Sequence, residues 1–295
     1  MKIISRISAA FLCAVFVIAS CSSPKQEEQN DAEEFDQAAE ELSEQIEDIV
    51  YQIPPPAEIP YILQSTGVEL DESLVNDLAN ADNYQGADDK SAMNLGVYAT
   101  DIGYLSSYEK AQEALTYFSK MKSLADQIGV TTSIDTNVID RFESNLASKD
   151  SLSDIINEAI SNTDEHLKNS GRNRTAALVL AGSFTEGLYI ASSLVKNYPR
   201  DVLSEEDRKL ILIPLVRLIL DQEKPLQDLN AMLSTLDGDE TVDQLVSMTS
   251  GLIDQYASLD IEERIRNNEG VTLLEDENLA GLNEQISAIR SFITG

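Results

Sequence analysis

TAALVLAGSFTEGLYIASSLVK, residues 175–196, is the stretch of sequence that decides the fold of this chain. Its apolar residues fall on nearly every side of a helix, which is typical of a helix buried over most of its surface. Glu186 lies in the middle of the stretch and disfavours a membrane span, because a carboxylate in hydrocarbon is costly. Gly182 and Gly187 indicate close helix packing. We therefore predict a core helix on which the rest of the chain packs.

A second apolar run, LILIPLVRLIL at residues 210–220, predicts another helix that is apolar on most faces, which Pro214 kinks or splits. The spacing of apolar residues elsewhere predicts about ten helices in total. No alternating strand pattern with paired turn signals occurs in the sequence. We therefore predict an all-α fold, a compact irregular multi-helix bundle packed about residues 175–196 and 210–220.

Capping residues mark several predicted helix ends. Ser106 and Glu109 have the spacing of a capping box, so a helix over residues 90–106 is predicted to give way there to a new helix. Gly129 is the predicted C-cap of that new helix. Ser204 and Asp207 are predicted to open the helix that contains residues 210–220.

An alternative fold comes from a short sequence resemblance. Leu95 and Gly96, with Ala111 and Phe118, resemble the helical hairpin of tetratricopeptide repeats. The resemblance implies an array of helical hairpins. Because no second copy follows about 34 residues away, the compact bundle is preferred.

The first 21 residues have the pattern of an export signal. Lys2 and Arg6 precede an apolar run of about 12 residues, which is too short to span a bilayer, and small residues follow it. The tetrapeptide Ile18-Ala19-Ser20-Cys21 resembles the bacterial lipobox. That resemblance implies removal of residues 1–20 and acylation of Cys21, whose palmitate-like chains would hold the protein on a membrane.

The residues after Cys21 bear on location and domain organisation. Ser22 in place of Asp implies transfer to the outer membrane of a Gram-negative bacterium, and residues 25–28 resemble a charged signal for the cell surface. The periplasmic face and the cell surface both stay open. We predict a flexible acidic tether at residues 21–31, an N-terminal helix and proline-rich spacer at 32–56, and an all-helical domain at 57–295, as one domain or two.

Composition excludes several classes of function. The formal charge of −31 repels nucleic acid phosphates, so no nucleic acid partner is expected. Cys13 would be lost with the signal and Cys21 acylated, which leaves no disulfide. The single histidine, His166, lies beside Asp164 and Glu165 and is predicted to be solvated. With no His/Cys cluster and no phosphate-binding glycine motif, we predict no metal, no cofactor and no enzymatic activity.

Aromatic residues are concentrated between residues 84 and 117. Tyr98, Tyr104 and Tyr108 are predicted not to share one face of one helix, and core packing with hydroxyls at the rim is the expected arrangement.

Glu186 is the candidate ligand contact, because a carboxylate in an apolar helix is costly unless it is paired or hydrogen-bonded. An ion pair with a nearby arginine is the structural alternative. We predict a non-enzymatic, lipid-anchored envelope protein that binds or scaffolds a partner. The alternatives are a carrier for a small ligand held around Glu186 and a carboxylate-dependent hydrolase. A closed core favours the first, an apolar cavity the second, and an open cleft with facing carboxylates the third.

Overall fold

The computed structural model describes residues 64, 67–130, 136–145, 148, 151–152, 154–155, 158, 162, 172–198, 204–259 and 277–295. These residues all belong to one compact unit, Ala39–Gly295. They form eight α-helices, numbered here in chain order: α1 Asp88–Ser107, α2 Ala111–Gln127, α3 Thr136–Ser144, α4 Asn173–Asn197, α5 Glu205–Leu220, α6 Glu223–Leu233, α7 Glu240–Ala257 and α8 Glu277–Thr294. Two 3₁₀ turns precede α1: Glu72–Leu74 and Leu78–Asn83.

Several sequence predictions concern residues outside the described part of the chain. These are the signal at residues 1–20, the acylated Cys21, the tether at 21–31, the helix and spacer at 32–56, and the solvated His166. They stay predictions, as do the domain boundaries.

Helix α4 is the centre of the bundle, as residues 175–196 predict. It packs most extensively on α1 and also contacts α5, α6 and α8. The α1–α4 crossing is unusually close, because a Cβ at Gly96 would lie 2.0 Å from the Val179 carbonyl oxygen and a Cβ at Gly182 would lie 1.9 Å from that of Met93. Only glycine permits two helix backbones to approach so closely. The predicted role of Gly182 in close packing is confirmed.

Among the described helices, α4 is the one long and apolar enough to cross a membrane. However, 72% of its most apolar window is buried inside the protein. A core helix of a soluble bundle has the same length and composition.

The fold is an all-α multi-helix bundle, as predicted. In an array of helical hairpins each hairpin contacts its neighbours in sequence. Here α1 makes its largest interface with α4, which lies three helices further along among those described, rather than with α2. The packing is therefore that of a bundle and not of an array.

Helix α5 is less central than its sequence predicts. It is continuous through Pro214, which is exposed, and it packs on α4 through buried residues such as Leu212, Leu215 and Ile219. Leu210, in contrast, is 73% exposed. The prediction that the bundle packs about residues 210–220 as well as 175–196 is wrong. Apolar composition alone did not show that this helix has one face turned to solvent.

The second central helix is α1, in which every residue from 91 to 107 is buried. The predicted capping box at its end is wrong: α1 continues through Ser107, and the Ser106 hydroxyl is buried without a hydrogen-bond partner among the described residues. The chain turns at Glu109, which has φ 64°, and α2 begins at Ala111.

Other predicted helix ends are confirmed. Gly129 follows α2 with φ 71°, and the Val130 N–H donates to the Ala125 carbonyl at 2.9 Å, which is the bond of a Schellman C-cap. The Ser204 hydroxyl accepts from the Asp207 N–H at 3.1 Å and caps α5.

Residues 67–84, which we call the strap, precede α1 and lie along it. The strap contains the two 3₁₀ turns and buries Val68, Leu74, Ala81 and Tyr84. The strap is not a helix of the bundle, although its residues 71–80 have an apolar pattern that predicts a short one.

Candidate functional site

Three charged side chains meet in the interior of the bundle. Asp101 on α1 and Glu186 on α4 are fully buried, and the Arg290 side chain on α8 is 16% exposed. We call these three residues the charged cluster. Each comes from a different helix, so only the packing of α1, α4 and α8 brings them together.

Glu186 and Arg290 form a bidentate ion pair. The Arg290 Nε donates to Glu186 Oε2 at 2.8 Å, and its Nη2 donates to Glu186 Oε1 at 2.9 Å. The same Nη2 donates to the Leu74 carbonyl of the strap at 3.0 Å, and the guanidinium lies 4.1 Å from the centre of the Tyr189 ring. Such paired hydrogen bonds and ring contacts suit a planar guanidinium. The ion pair named as the structural alternative for Glu186 is therefore present, and a ligand contact there stays a prediction.

Asp101 is the member of the cluster that sequence reasoning missed. Its Oδ2 accepts from the Asn76 N–H of the strap at 3.1 Å, whereas Oδ1 has no donor among the described residues. Burial, reinforced by the neighbouring Glu186 carboxylate, raises the pKa of Asp101 well above its usual range. The raised pKa favours the protonated form of Asp101, whose side chain lies within hydrogen-bond reach of Glu186.

With Asp101 protonated, the cluster is neutral as a whole. Burial also raises the pKa of Glu186, but the hydrogen bonds and the charge of Arg290 oppose that effect. One protonated carboxyl, one carboxylate and one guanidinium satisfy each other without net charge. A buried cluster of this kind is tolerated because each charge has a partner.

Polar side chains from α1 and the strap fix the end of α8 that carries Arg290. Asn94 Nδ2 donates to the Ile293 carbonyl at 2.9 Å, and the Tyr84 hydroxyl donates to that of Thr294 at 3.0 Å. The Lys90 ammonium donates to the carbonyls of Phe292 and Ile293. The last carbonyls of a helix have no partner within it, so these side chains act as a C-cap supplied from another helix.

Two tyrosines of α1, Tyr98 and Tyr104, and Tyr108 directly after it contact the strap. The Tyr98 hydroxyl donates to the Asp77 carbonyl and the Tyr108 hydroxyl to the Val68 carbonyl, while Tyr104 Oη accepts from the Asp71 N–H, each at 3.0 Å. The three do not lie on one helix, because Tyr108 follows the end of α1, but all three hydroxyls contact the strap. Burial raises the pKa of Tyr104 to about 12, so its hydroxyl stays protonated at neutral pH.

A small void lies between four of the described helices, α4, α6, α7 and α8. It measures about 10 Å³ and is lined mainly by apolar residues, Phe184, Leu226 and Ile289 among them. A volume of this size holds about one water molecule. Asp101 and Glu186 face each other, but they are in direct contact, whereas paired hydrolytic carboxyls stand roughly 5–10 Å apart.

No metal-binding group of three or more His, Cys, Asp or Glu residues occurs in the part of the chain that the structure describes. The charged cluster holds only two such residues, and Arg290 occupies the place beside Glu186 that a cation would take.

Comparison with known proteins finds no matching family, no matching curated protein and no matching solved structure.

We expect the stability of the protein to fall as pH rises above about 4, because of Asp101. Its pKa is higher in the folded than in the unfolded chain, so unfolding releases a proton between the two values and a rise in pH favours unfolding. The slope for one linked proton approaches about 1.4 kcal/mol per pH unit. Urea denaturation at several pH values measures it.

Asp101→Asn is expected to remove this contribution, since an amide can keep the Asn76 contact and donate to Glu186 without titrating. The control is Asp254→Asn, which changes an exposed carboxylate on α7. If both variants keep the slope of the wild type, Asp101 is not the group responsible.

Proposed function

We propose that this chain is a non-enzymatic, lipid-anchored protein of the cell envelope whose helical bundle binds a partner protein. The acyl chains on Cys21 would hold it in the outer membrane of a Gram-negative bacterium, on the periplasmic face or on the cell surface. One observation supports the non-enzymatic part of this proposal. In the charged cluster, Arg290 binds Glu186 through two hydrogen bonds and Asp101 contacts Glu186, so these side chains already bind each other.

The alternatives have less support. A carrier of small ligands needs a pocket of several hundred Å³, and the void among α4, α6, α7 and α8 is far smaller than that. A hydrolase that uses two carboxylates needs a water and a substrate between them, and Asp101 already contacts Glu186. Binding through the outer surface of the bundle requires neither a pocket nor a cleft.

The anchor is tested by metabolic labelling with palmitate. We expect the wild type to be labelled and to sediment with membranes, and Cys21→Ser to lose both properties, because a single cysteine would carry the thioether-linked chains. Cys13→Ser is the matched control and should keep the label, since residue 13 leaves with the signal. Labelling of Cys21→Ser at the wild-type level would overturn the anchor.

The binding role is tested by cross-linking in intact cells followed by affinity capture of the tagged full-length chain. A partner protein recovered with the wild type, and reduced with the unanchored Cys21→Ser, is the expected result. Recovery of no partner in either case would contradict the proposal.

A further inference from the structure

The strap lies in a groove whose side chains make many of their hydrogen bonds to its main chain. Five groups, from α1, from α8 and from Tyr108 directly after α1, bind backbone atoms of the strap between residues 68 and 77, at 3.0 to 3.1 Å: the Tyr108 hydroxyl binds the Val68 carbonyl, Tyr104 the Asp71 N–H, Arg290 the Leu74 carbonyl, Asp101 the Asn76 N–H and Tyr98 the Asp77 carbonyl. Because every protein segment has the same main-chain N–H and carbonyl groups, a different segment that follows the same path would form the same hydrogen bonds with the groove.

We propose that this groove is the binding site for an acidic, largely non-helical segment of a partner protein, and that the strap is its internal occupant. The inference rests on the proposed binding function and gives that function a location. The backbone at Asp71 and Val75 is extended, with one 3₁₀ turn between them, which defines the path that the partner segment would follow.

Charge indicates the chemistry of the partner segment. The strap carries five acidic residues and no basic one. The bundle meets it with cations: Lys110 Nζ lies 2.6 Å from Glu72 and Lys120 Nζ lies 3.4 Å from Asp82. In a chain of formal charge −31, cations gathered against one segment favour an acidic ligand. These exposed ion pairs contribute more to selectivity than to affinity.

The strap can leave without breaking any helix of the bundle. It precedes α1 and is joined to it by a short turn that contains Gly86, with φ 88°. It buries four apolar side chains, Val68, Leu74, Ala81 and Tyr84, and its hydrogen bonds contribute about 1 kcal/mol each. Its release is therefore a local opening rather than global unfolding.

Opening of the strap alone is nevertheless costly, because it leaves Asp101 and Arg290 without two of their partners. A ligand restores them only if it presents a main-chain N–H to Asp101 and a carbonyl to Arg290. The charged cluster thereby selects a peptide backbone over other kinds of ligand.

The probe for this proposal is a fluorescein-labelled peptide of residues 67–84, titrated against the full-length chain and followed by fluorescence anisotropy. Leu74→Asp loosens the internal strap, because Leu74 is 3% exposed and a carboxylate is costly there. Ala79→Asp adds the same charge at an exposed strap position and is the matched control. We expect Leu74→Asp to bind the peptide at least about tenfold more tightly than the wild type or Ala79→Asp.

A second experiment removes two hydroxyls of the groove that bind the strap. With Tyr104→Phe and Tyr108→Phe added to Leu74→Asp, peptide affinity is expected to fall about tenfold, as the loss of two hydrogen bonds implies. A peptide with its five acidic residues replaced by Asn or Gln is expected to bind several-fold more weakly. Equal binding of that neutral peptide would overturn the acidic class of ligand.

Two results would overturn the groove itself. One is equally weak peptide binding by Leu74→Asp and Ala79→Asp while both keep the helical circular dichroism of the wild type. The other is loss of the helical signal in Leu74→Asp, which would make the strap an integral part of the core. If Ala79→Asp and Leu74→Asp capture a cellular partner equally, the result supports the binding function but contradicts the groove as the binding site. If no partner is captured at all, the proposed function is contradicted, and the peptide titration still tests whether the groove binds an acidic segment.

Discussion

Glu186→Gln is expected to lower the free energy of unfolding by about 3–5 kcal/mol at pH 7, because it leaves the buried guanidinium of Arg290 without its carboxylate. An arginine cannot release its proton to escape this cost. Urea denaturation followed by circular dichroism measures the loss. Glu284→Gln is the control, since it removes an exposed carboxylate from α8, six residues before Arg290, and should change stability by less than about 0.5 kcal/mol.

Removal of the other partner of the ion pair tests whether the loss in Glu186→Gln comes from an unpaired buried charge or from lost packing. Arg290→Met leaves Glu186 unpaired, but burial already raises the pKa of this carboxyl, which can take up a proton. We therefore expect Arg290→Met to cost less than Glu186→Gln. Equal stability of Glu186→Gln and the wild type would contradict the structural role of the pair.

Gly182→Ala is expected to destabilise the protein by about 3 kcal/mol or more, because the added methyl would lie 1.9 Å from the Met93 carbonyl oxygen on α1. The obstacle is backbone, so it cannot rotate away, and the two central helices have to separate. Thermal unfolding and urea denaturation measure the effect. The neighbouring Gly96 faces the same constraint from α4.

Gly251→Ala is the matched control for Gly182→Ala. It also lies within a helix, α7, but the nearest atom to its added Cβ is the Gln285 side-chain oxygen at 3.8 Å. Its higher helix propensity should stabilise the protein by up to about 1 kcal/mol. Similar losses in both glycine variants would show that the close approach of α1 and α4 is not what constrains residue 182.

The sequence predicts the core helix well but not its main partner. Residues 175–196 match α4 because their apolar residues recur on nearly every side. Helix α1 is as deeply buried, yet it contains buried polar residues, Ser91, Asn94 and Thr100 among them, so that composition predicts only a one-sided helix. Those polar groups find partners in the strap, α4 and α8, which are distant in sequence.

Sequence analysis singled out one carboxyl of the charged cluster, Glu186, and missed the other, Asp101. Glu186 stands out because it is a lone charge in a long uncharged run. Asp101 has the same signal, since it is the only charged residue between Lys90 and Glu109. The sequence does not show that these two carboxyls contact each other, because their meeting depends on the α1–α4 crossing. The raised pKa of Asp101 follows from burial and from that contact, and is likewise a property of the packed state.

Local motifs were reliable only where no stronger tertiary preference opposed them. Ser204 caps α5 as its spacing predicts, and the exposed start of that helix leaves its N–H groups in need of a partner. Ser106 has an equally good motif, but burial of residues 91–107 favours continuation of that helix. A capping box is worth about 1 kcal/mol, less than the burial of another turn of helix.

The position of Arg290 along the chain also sets an order of events during synthesis. Ribosomes make proteins from the N-terminus, and Glu186 appears 104 residues before the guanidinium that neutralises it. Until then, α1 and α4 bring two carboxyls together without a counter-ion, and water competes with their association. Completion of the core is therefore delayed to a late stage of translation.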